Sequence, residues 1–208
     1  MGRGSNQSIK AARMTRSQAA LDNFTAAVAL GGDQKRKRGG YRRVKGNKLY
    51  DHQKQCYLSV TAVCAQLGIK VRLMTEREQA SEYSTYHGER FTAGGFFQAP
   101  NIIALRYENL STLVHELVHA VDYKLGGNQW EYELTTRSQE CELVACAAGD
   151  MIMAELLRHK PQHSEYAMKQ GGSLTLLDKN KDRITAIYEL IMESILQQKT
   201  DTTSALIS

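Results

Sequence analysis

No apolar run in this sequence approaches 18 residues, so no segment is expected to span a bilayer. The first residues, Met1-Gly2-Arg3-Gly4-Ser5, lack the hydrophobic stretch that begins a secretory signal. The expectation is a cytoplasmic or virion-associated protein without membrane contact. Cysteine is scarce, and Cys56, Cys64, Cys141 and Cys146 include no C-x-x-C pair. That excludes a disulfide-stapled scaffold and reads as reduced, mostly buried thiols. No internal repeat is visible, and the basic stretch near the start has a single aromatic, Tyr41, too little for a base-stacking platform.

What is present is enough for one well-cored domain with an extension: 208 residues, 42% hydrophobic and 24% charged. The net charge of +5 hides a division. Residues 1–48 hold twelve Lys/Arg against two acids, a net of +10, and the rest holds fifteen basic against twenty acidic residues, a net of −5. The run Lys35-Arg36-Lys37-Arg38-Gly39-Gly40-Tyr41-Arg42-Arg43 combines like-charge repulsion with glycine entropy, both of which oppose compact structure. Residues 1–48 therefore read as a basic, flexible arm, relieved only by a weak helical pattern from Ala19 through Phe24 to Leu30. Clustered Lys/Arg neutralise phosphates, which makes nucleic acid or an assembly partner the candidate ligand of the arm.

From Asp51 the pattern is helical, with His52, Cys56, Val60, Val63, Cys64 and Leu67 on one stripe and Gly68 where a terminating glycine belongs. Ile69, Val71 and Leu73 alternate with Lys70 and Arg72, as in a half-buried strand. Phe96-Phe97, Ala99-Pro100-Asn101 and Ile102-Ile103-Ala104-Leu105 predict a hairpin with an apolar second strand. A helix is predicted from Ser111 to Leu125, ending at Gly126-Gly127. A second opens at the capping-box spacing Thr136-Arg137-Ser138-Gln139 and runs to about His159. A last amphipathic helix carries Ile184, Ile187, Tyr188, Ile191 and Ile195. The fold class is α+β: a small twisted sheet from residues 69–107 packed on the first of these helices, with the second and last completing the core.

The chemistry concentrates in Leu113-Val114-His115-Glu116-Leu117-Val118-His119-Ala120-Val121-Asp122. His115 and His119 are four residues apart, so on a helix both imidazoles leave one face a turn apart and can share a Zn²⁺. Glu116 sits where its carboxylate can reach a metal-bound water, take its proton during attack on a carbonyl, and return it to the leaving amine. A catalytic zinc needs a third protein ligand. Glu142 and Glu140, both early in the next helix, are the candidates. Glu142 is preferred, because Glu140 flanks the capping turn where acids favour the helix dipole. Asp122 can orient an imidazole from behind or be a solvated acid, and Asp150 has the same status. Tyr132 can hydrogen-bond a tetrahedral oxyanion, or simply anchor its loop with Trp130. Cys141 reads as a buried thiol, and His52, His87, His159 and His163 lack ligand-like spacing.

This pattern resembles the zincin metallopeptidases of gluzincin type, H-E-x-x-H followed by a glutamate on the next helix. Thr112 to Asp122, with Glu142-Leu143-Val144-Ala145 and Gly149-Asp150, is similar to the family of the mitochondrial inner-membrane peptidase that processes an ATP-synthase subunit. That family has arginine where this chain has Val144, and one residue more before Gly149. The Glu-Leu-Val-Ala run also resembles the zincin domain of ArdC-type anti-restriction proteins, which join such a domain to a nucleic-acid-binding region. The resemblance covers Ile102 to Asp150. It implies a zincin-like domain over residues 49–208, one Zn²⁺ on His115, His119 and Glu142, Glu116 as the base, and endopeptidase activity on a protein or peptide substrate. It further implies that Ile102–Leu105 is the sheet edge along which an extended peptide lies. The alternative is a nucleic-acid-associated anti-defence, virion or assembly protein that keeps a zincin scaffold with a basic arm.

Overall fold

A computed structural model describes residues 18–19, 21–22, 24–26, 48–81, 83–86, 89–92, 94–127, 139–157 and 173–205. The chain is α+β, mostly helical, with a small mixed sheet of three strands. Its contacts divide it into two compact units, Met1–Leu49 with Ser138–Tyr188, and Tyr50–Arg137 with Glu189–Ser208. No helix among the described residues is long and apolar enough to cross a membrane.

Helix α1, Lys48–Gln66, lies from Tyr50 onward in the second of these units; it buries Cys56, Val60, Val63 and Cys64 on the predicted stripe and leaves His52 exposed. The helix ends as its glycine dictates. Gly68 adopts φ +69, its N–H donates to the Ala65 carbonyl, and Ile69 N–H reaches back to Cys64 O at 2.7 Å. These paired bonds satisfy carbonyls that the helix end would otherwise strand, in a conformation open to glycine at little cost. Strand β1, Lys70–Leu73, follows. The short helix α2, Glu76–Ser81, is capped reciprocally: Glu78 N–H donates to Thr75 Oγ1 and Thr75 N–H to Glu78 Oε2. An antiparallel pair, β2 (Tyr83–Tyr86) and β3 (Glu89–Thr92), leads to β4 (Gly95–Gln98) and β5 (Ile102–Leu105).

The sheet order is β1-β5-β4, with β5 parallel to β1 and antiparallel to β4. This corrects the expectation that Ile102–Leu105 forms an edge. It is the central strand, and the reason lies in its composition. Four successive apolar residues suit a strand covered on both faces, and Ile103, Ala104 and Leu105 are all fully buried. The expected alternation in β1 also fails at its end. Ile69 is buried, but Leu73 is 56% exposed at the far end of an edge strand, and the next residue, Met74, is buried instead.

Helix α3, Leu110–Lys124, packs on β4 and β5. Two glycines permit the approach. A Cβ at Gly95 would lie 2.8 Å from Thr112 Cγ2 and 2.9 Å from Leu105 Cδ2, and one at Gly94 3.1 Å from Thr112 Oγ1. These glycines do more than punctuate the chain: they let the start of α3 sit against β4. Further along, the Phe97 and Tyr123 rings stack at a tilt, 5.9 Å apart.

The first unit is built on helix α4, Gln139–Leu157, whose residues Cys141 to Met153 are all buried. Helix α5, Leu174–Lys179, is capped by Ser173 and turns at Asn180 into helix α6, Lys181–Ala205, of which the part to Tyr188 belongs to this unit and the rest to the second. Ile184, Ile187, Tyr188, Ile191 and Ile195 are buried as predicted. Residues 1–48 are not uniformly an arm: among the few described, Leu21 and Phe24 are helical and belong to the core, with Phe24 wholly buried. Two apolar side chains at helical spacing outweigh the basic composition around them. The basic run 35–45 and the capping turn at 136–138 lie outside the described residues. All four cysteines are buried thiols outside any disulfide, and burial pushes the Cys64 thiol up to about 12.

Candidate metal centre

Helix α3 begins one residue earlier than its apolar pattern suggests, because Asn109 caps it. The Asn109 backbone is extended, and its Oδ1 accepts from Thr112 N–H at 2.9 Å and from Thr112 Oγ1. At the other end Gly126, at φ +83, repeats the closure of α1, with Gly127 N–H donating to Asp122 O at 3.0 Å. Between these stops, every residue from Leu113 to Asp122 is buried except His115, which is half-buried.

That burial includes polar groups. Glu116 is 4% exposed, His119 0% and Asp122 1%. Placing such groups in a core costs about 1–3 kcal/mol each wherever a hydrogen-bond partner is missing, so their density on one helix marks a site. The burial of Asp122 excludes a solvated surface acid. Asp150, on α4, is likewise buried, at 2% exposure. Tyr132 and Trp130 lie outside the described residues, as do His87, His159 and His163.

The imidazoles of His115 and His119 meet edge to face, ring centroids 4.8 Å apart, with their Nε2 atoms 3.2 Å from each other. Two nitrogens about 2.05 Å from one ion at the tetrahedral angle stand about 3.3 Å apart, so the observed spacing is that of a chelating pair. Glu142 completes the group: one ligand atom from each of His115, His119 and Glu142 lies within 4.8 Å of the other two. Among the described residues this His-His-Glu group is the set that can hold a metal ion. Its donors, two imidazoles and a carboxylate, suit a borderline divalent cation.

Glu140 has another occupation. Its carboxylate takes Lys179 Nζ at 3.1 Å and lies 3.7 Å from Arg183 Nη1. Burial opposes its ionisation, but hydrogen bonds from Asn180 and Lys179, with the charges of Lys179 and Arg183, hold its carboxyl below the ordinary value. Of the two glutamates that sequence spacing left open, Glu142 is the one beside the histidines. Cys141, between them, has Arg183 Nη2 3.9 Å from its sulfur.

Sequence reasoning missed three features around this site. Asn109 was legible as a cap, three residues before the Thr112 whose N–H it holds. The packing role of Gly94 and Gly95 left no local signal, because it depends on which side chain arrives from α3. The Glu140–Arg183 contact joins positions far apart in the chain and had none either. Searches against family models, curated proteins and solved structures found no match to this chain.

Proposed function

We propose that this protein is a metal-dependent endopeptidase, with Zn²⁺ held by His115, His119 and Glu142 on a zincin-like scaffold. The observation that carries this reading is the pair of imidazole nitrogens 3.2 Å apart with a glutamate ligand atom beside them. When bound, such an ion polarises a substrate carbonyl and lowers the pKa of water. The chain's own residues do the rest. His115 and His119 hold the cation as neutral imidazoles, and the burial of His119 fixes its ring. Glu116, next to His115 and nearly inaccessible to bulk solvent, takes the proton of the attacking water and returns it to the leaving amine. Asp122 and Asp150 are retained as acids that orient the ligands from behind. An extended substrate would pair its main chain with β4, the outer strand beside α3, since β5 is already paired on both sides.

The test is Glu116→Gln. The variant should keep its metal, because Glu116 is not a ligand, and lose peptide hydrolysis by about 10²–10⁴-fold. Unchanged hydrolysis would remove Glu116 from the chemistry.

A second reading is favoured by the charge of +10 over residues 1–48. In it the same centre sits in a nucleic-acid-associated protein. Replacing Lys35, Arg36, Lys37 and Arg38 by alanine should then weaken binding to DNA or RNA and flatten its salt dependence. Full-length protein that ignores nucleic acid at low salt rejects this reading.

A further inference from the structure

The glutamate of the candidate centre stands in the first turn of α4, and a charged cluster grips that turn on another side. Glu140 and Glu142 are two residues apart, about 200° around the helix axis, so they face nearly opposite directions. Glu140 is held by Lys179 at 3.1 Å and Arg183 at 3.7 Å. Arg183 does more than pair with it. Its Nη1 donates to Asn180 Oδ1 at 3.2 Å, and its Nη2 lies 3.9 Å from Cys141 Sγ. Asn180 is itself fixed: it is 4% exposed, and its side-chain amide donates to Leu176 O at 2.8 Å. One guanidinium thus touches two consecutive residues of the α4 first turn and the corner that joins α5 to α6.

We infer that Arg183 and Glu140 are positioning residues for the metal centre: their contact sets the rotation of the first turn of α4 and so aims the Glu142 carboxylate. The inference rests on the metal reading above. Arg183 and Glu140 are each about one-fifth exposed, so the pair is partly screened and adds little to global stability. Lys179 is mostly exposed and is the weaker leg. Loss of the pair should therefore leave a folded protein whose third ligand is less well aimed.

The experiment compares full-length wild type with Glu140→Gln, Arg183→Ala and Arg183→Lys. Zn²⁺ affinity is read by competition with a chromophoric chelator, and ligand geometry from the visible absorption of the Co²⁺-substituted protein. Arg72→Ala, which removes a comparable ion pair with Glu78, serves as the control for a merely structural loss. Glu140→Gln and Arg183→Ala should each weaken Zn²⁺ about 10-fold and alter the Co²⁺ spectrum. Arg183→Lys should recover part of both, and Arg72→Ala should change neither. Wild-type affinity and spectrum in Glu140→Gln and Arg183→Ala would overturn the positioning role while leaving the metal centre intact. A wild-type chain that takes up no metal overturns both.

Discussion

The two helices that supply the candidate ligands are fixed in different ways. Helix α3 carries its instructions within a short stretch of chain: the Asn109 cap, the i, i+4 histidines, and the glycine stop at Gly126. Helix α4 is almost wholly buried, and its first turn is tied to partners some forty residues later: Glu140, two residues before Glu142, pairs with Lys179 and Arg183. A local motif can present two ligands of a metal with little help. The third ligand needs tertiary structure to choose it, which is why spacing alone left Glu140 and Glu142 both open.

The contrast can be attacked from the α4 side with the largest effect. Phe24 is wholly buried and falls in the same compact unit as α4. Phe24→Ala should cost about 3–5 kcal/mol in urea unfolding, and deletion of residues 1–48 should be at least as damaging. Loss of less than about 1 kcal/mol would restore the view of this segment as a dispensable arm.

On the α3 side the strongest lever is Gly95→Ala. The added methyl meets Thr112 and Leu105 side chains under 3 Å away and the Ala104 carbonyl at 3.1 Å, so these side chains or the backbone around them must shift. The expected cost is about 1–3 kcal/mol in the same measurement. A neutral result would mean that α3 is not seated through this contact. Asn109→Ala should cost about 1 kcal/mol through the lost cap, and Asn109→Asp or Asn109→Ser should largely restore it.

The smallest effect lies away from both helices and measures how little an exposed pair contributes. The Arg72 guanidinium grips the Glu78 carboxylate at 2.7 Å through Nη1, and the Thr75 N–H adds a further bond, holding that carboxyl at about 2 against an ordinary 4.5. A lowered folded-state value means the contribution is complete above about pH 4.5 and is lost as the pH falls toward 2. Glu78→Gln should therefore make the unfolding midpoint slightly less sensitive to acid across that window. A larger acid sensitivity in the variant would contradict the sign.

Much of this architecture was legible beforehand, for identifiable reasons. The α1 stripe ending at Gly68, the β4–β5 hairpin, α3 and the isoleucine face of α6 follow from periodicity and from glycine chemistry, both local. The position of β5 was not read correctly, although its four apolar residues in succession carried the signal of a strand covered on both faces. Helix α2 and the β2–β3 pair were passed over because their polar, tyrosine-rich sequence lacks a clear alternation. The burial of Leu21 and Phe24 was hidden by the surrounding charge. In the candidate centre, His115 and His119 were legible from spacing alone. Glu142 was preferred because Glu140 flanks the capping turn, but the partners that engage Glu140, Lys179 and Arg183, were invisible in local sequence.

The central claim is that two histidines from α3 and one glutamate from α4 hold a single divalent ion. Metal content of the purified full-length chain tests it most directly, measured by elemental mass spectrometry beside His115→Ala and Glu142→Ala. The account predicts about one zinc per wild-type chain, near-complete loss in His115→Ala and a strong reduction in Glu142→Ala. A folded wild-type chain that carries no metal and takes up none from added Zn²⁺, or a Glu142→Ala variant that retains full stoichiometry and affinity, would contradict it.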